Sequence, residues 1–261
     1  MKIGFIGVGS MARAMIKGFI NSRNINSNDI LIHSKHSNNY VNFAKKHELT
    51  AVSTNEELVK NSDYIILAVN PNQVVDVLKD TRKLLSVDNK ILVSIVWDYS
   101  LNRLEELTDY DLPIFRTVPN VNVEINTGSL VYTYNENFSD ESLNDIISKF
   151  NLLGDMINLP ENKLNTAGAL VGCTPAYAYL FADAFSRVAV KHGLSKNESN
   201  NMIAQAIKGS MNMIIKSNDN PADLMDEVCS PGGSTIKGLL ALKENGFENA
   251  IDKCFDATQD N

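Results

Sequence analysis

The sequence predicts a two-part α/β protein, a parallel, doubly wound sheet followed by an all-α region. Three features carry this. Short apolar, β-branched runs alternate with amphipathic segments through residues 1–160. From residue 161 the strand-like runs stop, and apolar residues recur only at three- and four-residue spacing. The chain also opens on a strand-like run, "KIGFIG", that passes straight into a glycine-rich turn and a helix-like segment. Repeated β-α-β units of this length imply parallel strands covered by helices on both faces.

The strands are expected at 2–7, 29–34, 63–69, 90–96, 113–118, 128–134 and 156–159. The early ones are continuous Ile/Leu/Val runs, as strands buried on both faces require. Helices are expected between them, at 11–22, 38–47, 55–61, 72–85, 101–108 and 139–151. Pro160 and the polar "ENK" after it mark the boundary, giving domains of 1–160 and 161–261. The second domain reads as helices over "KLNTAGALV", "AYAYLFADAFSRVAVKHG", "KNESNNMIAQAIKGSMNMIIKS", "PADLMDEVC" and "STIKGLLALKEN". Pro175 and Pro221 sit where helices can begin, because proline is tolerated at the first helical position. Asn220 and Thr54 or Asn55 are N-cap candidates, and Gly193 and Gly246 fit helix C-termini.

Composition narrows the function. Of 261 residues, 44% are hydrophobic and 21% charged, as in an ordinary globular protein. A net charge of −7 disfavours nucleic acid and anionic membranes, since nothing broadly neutralises phosphate. No apolar run reaches the roughly 18 residues of a membrane helix. The first residues are strand-like rather than a signal peptide. Three widely spaced cysteines and four histidines form no disulfide framework and no ligand pattern, so no metal is expected. A reduced, cytoplasmic setting follows.

The opening turn is Gly7-Val8-Gly9-Ser10-Met11-Ala12, a G-x-G-x-x-A between strand and helix. Gly7 permits the tight turn, Gly9 lets backbone approach a pyrophosphate, and Ala12 allows close helix–strand packing. Free N–H groups at the helix start hold the phosphates. The first domain is therefore a Rossmann-type dinucleotide-binding domain. An NAD site usually places an acid at the end of the second strand. Here that place reads His33-Ser34-Lys35-His36, with a cation and a hydroxyl instead. Ser34 and Lys35 favour the 2′-phosphate of NADP, with NADH as the alternative cofactor, and Asn55 can reach the adenosine ribose.

Five motifs in order then carry a family resemblance. They are Gly7–Ala12, "AVNP" (68–71), "RTVPN" (116–120), "GCTPAY" (172–177) and "SPGGSTI" (230–236). The chain resembles pyrroline-5-carboxylate reductase over nearly its full length. There are departures. Asn70 stands where the family has a lysine, and Val96-Trp97-Asp98 stand where it has small residues beside the nicotinamide.

The resemblance implies NADPH-dependent reduction of the cyclic imine 1-pyrroline-5-carboxylate to L-proline. Ala68, Val69, Asn70, Pro71 and Asn120 join the cofactor-binding set. The substrate carboxylate needs an anion site, and "SPGGST" offers one at a helix start. Ser230, Gly232, Gly233 and Ser234 are expected to hold the carboxylate. Ser230 and Ser234 are expected to cap the helix as well. By resemblance, the Thr235 hydroxyl lies near the ring nitrogen and is the catalytic candidate. An acid at Asp183 reads as solvated or ion-paired rather than catalytic. The resemblance implies a C-terminal dimerisation domain, a homodimer or a ring of dimers. Two other readings stay open: a related NADP-dependent imine or hydroxyacid oxidoreductase, and a non-catalytic dinucleotide-binding paralogue in which Trp97 covers the nicotinamide pocket.

Overall fold

The computed structural model describes residues 1–87 and 90–259. It divides into two compact units, Met1–Pro175 and Ala176–Asn261. The first unit is built on one eight-stranded sheet. Its strands are β1 (Ile3–Ile6), β2 (Ile30–His33), β3 (Thr50–Ala51), β4 (Tyr64–Leu67), β5 (Ile91–Ser94), β6 (Ile114–Pro119), β7 (Gly128–Tyr134) and β8 (Gly154–Asn158). They lie in the order β3-β2-β1-β4-β5-β6-β7-β8. The order reverses between β1 and β4, the switch point where open α/β sheets bind ligands.

Helices cover both faces, which explains the continuous apolar strands. Every residue of β1, β4 and β5 is buried. Phe5, Ile32, Ile66, Val93 and Phe115 pack on one side, against Met15, Ile16 and Phe19 of α1 (Ser10–Asn21) and Phe150 of α6 (Asp140–Phe150). Leu31, Ile65, Leu67 and Leu92 pack on the other, against α3 (Asn55–Lys60), α4 (Val74–Leu85) and α5 (Leu101–Leu107). Helix α2 (Val41–His47) lies between β2 and β3.

Two features differ from the sequence expectation for this sheet. The two-residue strand β3 is too short to show any alternation and went unpredicted. Strand β7 runs antiparallel to β6. Only the turn Val121–Ile125 and three further residues, Asn120, Asn126 and Thr127, join them, and a parallel crossover needs a dozen or more.

The helical region departs in two places, the first in its opening helix. Residues 161–191 form a single 31-residue helix, α7 (Glu161–Lys191), with Pro175 inside it and not at a helix start. Proline cannot donate to the carbonyl four residues back, here that of Val171. The structure repairs this locally: Asn120 Nδ2 donates to the Val171 carbonyl at 3.1 Å. The division between the two compact units falls at this same proline.

The first half of α7 lies along the "RTVPN" ribbon. Alternate residues Arg116, Val118 and Asn120 share one side of the extended chain. Arg116 contacts Glu161 and Asn165, Val118 packs at Gly168, and Asn120 reaches Val171. Those partners recur at three- and four-residue spacing, one face of the helix. Asn120→Ala should therefore lower stability by about 1–3 kcal/mol, the cost of an unpaired buried polar group. In a Pro175→Ala background, where the helix regains its own donor, the loss should shrink. Urea denaturation of the four proteins in a double-mutant cycle checks this. Additive losses would refute the repair.

The second unit contains the rest of α7, α8 (Lys196–Ser217), α9 (Pro221–Val228), α10 (Ser234–Glu244) and α11 (Phe247–Gln259). Asn220 caps α9 as expected, its side chain accepting from the Ala222 N–H. Helix α11 was not predicted, although Phe247, Ala250, Ile251, Cys254 and Phe255 carry the helical spacing. This unit exposes many large apolar side chains. Tyr179, Leu180, Ile215 and Val228 are each more than 60% exposed.

Candidate active site

The glycine turn is built as its residue types require. Gly7 has φ +96°, a left-handed conformation, and its N–H donates to the His33 carbonyl at 2.9 Å. A Cβ there would lie 2.4 Å from the Ala68 carbonyl oxygen. Gly9 is different: a Cβ there would meet nothing within 4 Å. Its glycine leaves open space rather than relieving a clash. Ala12 is buried against the sheet. The Arg13 side chain braces the turn, Nε donating to the Val8 carbonyl at 3.1 Å.

Gly9 is also the N-cap of α1, so no side chain caps that helix, and no acid lies in its first turn. Among described helices of eight residues or more, only α10 shares this combination. The others carry a capping side chain, an acid in the first turn, or both. An uncapped helix start keeps its N–H groups and positive dipole end available to an anion.

A cleft of about 710 Å3 opens at the carboxyl ends of β1, β2 and β4. Nine predicted cofactor residues line it: Gly7, Val8, Gly9, Ser34, Lys35, Asn55, Ala68, Val69 and Asn70. Thr54 caps α3, accepting from the Glu57 N–H at 3.1 Å. This frees Asn55, whose buried Oδ1 has no partner, as a group awaiting a ligand would. His33 and the Tyr40 hydroxyl both meet the Val52 carbonyl at 3.0 Å, closing the end of β2. Lys35 is the only lysine or arginine among the lining residues.

Ser10, Met11, Pro71 and Asn120 do not line this cleft, and Ala12 acts only through packing. Asn120 is 5% exposed. Besides its bond to Val171, its Oδ1 accepts from the N–H groups of Asn122 and Ser129, at 3.2 and 3.3 Å. The carboxamide is thus used up in holding the turn and α7. The sequence reading missed Gln73, Asp76 and Asp80, which line the cleft from the start of α4. The signal was available in their position just after "AVNP", at helical spacing. A larger cleft of about 780 Å3 lies at the other edge, against the amino ends of β4, β5 and β6. Ligands of open α/β sheets bind at the carboxyl ends, so the smaller cleft is the candidate site.

The loop after β5 borders that carboxyl edge. Trp97 stands where the resemblance expected a small residue, and Gly168 of α7 makes room for it. A Cβ on Gly168 would lie 2.7 Å from the Trp97 ring and 3.1 Å from Val118. The indole is pressed against α7, and Trp97 is not among the residues lining the candidate cleft. Arg116, 4% exposed, donates to the Trp97 carbonyl at 2.6 Å, to Glu161 at 3.1 Å and to Asn165 at 3.1 Å. Burial pushes its guanidinium pKa down, and the charges of Glu161 and Asp98 oppose the shift.

In the helical unit, the "SPGGST" loop turns on Gly232, at φ +70°. The Gly233 N–H donates to the Ser230 carbonyl at 3.0 Å. Gly233, not a serine, is the N-cap of α10. The expected capping by Ser230 and Ser234 is therefore absent. The backbone dihedrals place Gly233 at the position where a capping side chain would sit. Ser230, Ser234 and Thr235 are exposed, and their hydroxyls bond to no other described residue. By contrast, the hydroxyls of Thr54, Ser100, Ser139 and Ser195 are all engaged as caps. Asp183 is ion-paired, at 2.5 Å to Arg187 and 2.7 Å to Lys196. Hydrogen bonds from Arg187 and then Lys196 hold its carboxyl below the usual range.

Known proteins match both halves of the chain. Residues 161–261 match the family model described as pyrroline-5-carboxylate reductase dimerisation. Residues 2–97 match the one described as NADP oxidoreductase, coenzyme F420-dependent. The pyrroline-5-carboxylate reductase of Escherichia coli K12 is 29% identical, over 99% of this chain and 97% of its own. The crystal structure of Plasmodium falciparum pyrroline carboxylate reductase with NADP bound is 32% identical. It superposes with a TM-score of 0.89 over 99% of this chain and 95% of that one. The Streptococcus pyogenes enzyme is 31% identical, with a TM-score of 0.87 over 99% and 96%. Such identity across nearly the whole of both chains, on a matching fold, means that this chain belongs to the pyrroline-5-carboxylate reductase family.

Proposed function

We propose that the chain reduces 1-pyrroline-5-carboxylate to L-proline, using NADPH. The observation that carries this is the pairing of two uncapped, acid-free helix starts, one at each predicted ligand loop. A dinucleotide and a carboxylate are the two anions the reaction needs. Family membership supports the same reading.

NADPH fits the residues present. Gly7, Val8 and Gly9 with the start of α1 would hold its pyrophosphate. Ser34, Lys35 and Asn55 would hold the adenosine end, and Ala68, Val69, Asn70 and Pro71 would border the nicotinamide half. Ser10, Met11 and Ala12 would act through the backbone and packing of the same helix start. Any Asn120 contact would run through its backbone. When bound, the cofactor supplies the hydride for the imine carbon.

The protein's own part is to bind, orient and stabilise. The backbone of Gly232, Gly233 and Ser234, with the Ser230 hydroxyl, would bind the substrate carboxylate. The Thr235 hydroxyl would orient the ring nitrogen as it becomes an amine. A basic imine nitrogen brings its own proton, so no strong general acid is required. The lysines of α7, Lys163 and Lys191, stand only near its ends, which disfavours a hydroxyacid dehydrogenase with a mid-helix lysine.

We further propose domains of 1–160 for the cofactor and 161–261 for substrate and dimerisation, in a cytoplasmic homodimer or ring of dimers. The exposed apolar residues of the helical unit support self-association. No described helix is long and apolar enough to cross a membrane. NADPH oxidation with 1-pyrroline-5-carboxylate, against other imines, tests the activity. Binding of NADPH without turnover would leave the non-catalytic reading. Lys35→Ala should reduce the preference for NADPH over NADH by about tenfold, one charge-assisted contact to the 2′-phosphate. Dissociation constants for the two cofactors check this. An unchanged ratio would remove Lys35 from the site.

A further inference from the structure

We infer that Arg116 is a positioning residue for the reduction, holding the loop 95–99 at the nicotinamide half of the cofactor. The inference rests on the reading that a dinucleotide lies across the carboxyl ends of β1, β4 and β5. The loop continues β5, and β5 pairs with β4, whose end lines the cofactor cleft. It is pinned from three directions. Arg116 Nη2 grips the Trp97 carbonyl at 2.6 Å. The Trp97 ring is wedged against Gly168. The Tyr99 hydroxyl donates to the Pro71 carbonyl at 3.0 Å, tying this loop to the one after β4.

The same guanidinium reaches α7 through Glu161 and Asn165. Glu161 Oε1 also accepts from the Leu101 N–H at 2.7 Å, where α5 begins. The middle of the loop and its exit into α5 therefore hang on one ion pair, with Arg116 buried and Glu161 half-buried. A planar fork places its donors on separate nitrogens, here Nη1 to the carboxylate and Nη2 to the carbonyl and the amide, and the single compact ammonium of a lysine cannot span the same positions. The position of the loop thus depends on arginine in particular, and a misplacement of about 1 Å near reacting atoms can cost about 100-fold in rate.

Trp97 is the only tryptophan, so its fluorescence reports this loop alone. The test compares Arg116→Lys and Asn165→Ala with the parent protein. It reads kcat and KM for the imine, the NADPH dissociation constant, and energy transfer from Trp97 to bound NADPH. Arg116→Lys is expected to lower kcat by about 30-fold, within the range for misplaced reacting groups. KM and the NADPH constant should stay within about threefold, and the transfer should change. Asn165→Ala removes one of the two contacts between Arg116 and α7 and leaves the grip on the Trp97 carbonyl, so it should lower the melting temperature with kcat and transfer unchanged.

The inference is overturned if Arg116→Lys, folded by circular dichroism, keeps both kcat and transfer. It is also overturned if Asn165→Ala loses kcat equally, which would make the role structural. Should Arg116→Lys not fold, Glu161→Gln carries the test, with a kcat loss of about fivefold expected and none overturning it. If the parent protein binds NADPH but does not reduce the imine, the proposed activity fails. The transfer measurement still decides the role of Arg116.

Discussion

Gly9→Ala should weaken NADPH binding by about 100-fold and lower the melting temperature only slightly, through the poorer N-cap. The reason is the contrast between two glycines of one turn. At Gly7 a side chain is excluded by the fold itself, through φ +96° and the Ala68 carbonyl at 2.4 Å. At Gly9, φ is −77° and a Cβ meets nothing within 4 Å. An alanine there costs the chain no packing and little backbone strain. What it fills is the open space in front of the α1 N–H groups, where backbone must approach a pyrophosphate. A loss of about 2.7 kcal/mol in binding corresponds to the 100-fold change. Gly7→Ala provides the opposite signature, a loss of stability through strain and collision. Isothermal titration with NADPH and thermal melts of both variants decide the matter. Tight binding by Gly9→Ala would mean that the open space is not the phosphate site.

The sheet was legible because its strands are buried on both faces. Runs such as "YIIL" and "ILVS" have no other economical use in a chain of this composition. Direction was not legible in one place. Antiparallel β7 follows from the shortness of the connection over residues 120–127, and sequence spacing alone did not weigh it. Pro175 misled for a physical reason: a mid-helix proline normally costs a hydrogen bond, and the repair comes from Asn120, 51 residues before the Val171 whose carbonyl it satisfies. No local pattern shows such a partner.

The lining of the candidate cleft was largely legible, because the glycine turn and strand ends obey local geometry. The side chain of Asn120 is consumed in holding its own turn and α7, which its motif alone does not show. Trp97 posed the reverse problem. The sequence showed a large residue in a place expected to be small, and only the fold shows Gly168 opposite it. The "SPGGST" loop was found by its glycines, but its serines do not cap. The N-cap position is occupied by Gly233, and the freed hydroxyls strengthen the ligand reading beyond what the sequence allowed.

Thr235→Ala should then lower kcat by about 100-fold, with NADPH affinity unchanged. Thr235 lies in the first turn of α10, beside an N-terminus with neither cap nor acid. Its hydroxyl has no partner among the described residues, so removing it breaks no contact of the chain. An exposed helix position tolerates alanine at no cost in propensity. Any large effect must therefore come from a ligand. Loss of one preorganised donor at a reacting centre typically costs about 100- to 1,000-fold in rate. The developing amine nitrogen of the substrate is the group the donor would address. Thr235→Ser keeps the hydroxyl and should retain most activity. Steady-state kinetics with 1-pyrroline-5-carboxylate, set beside NADPH titrations of the same variants, separate this from a general loss of fold. If Thr235→Ala reduced the imine at the parent rate, the loop would hold the carboxylate at most, and the nitrogen would have to be oriented by another residue.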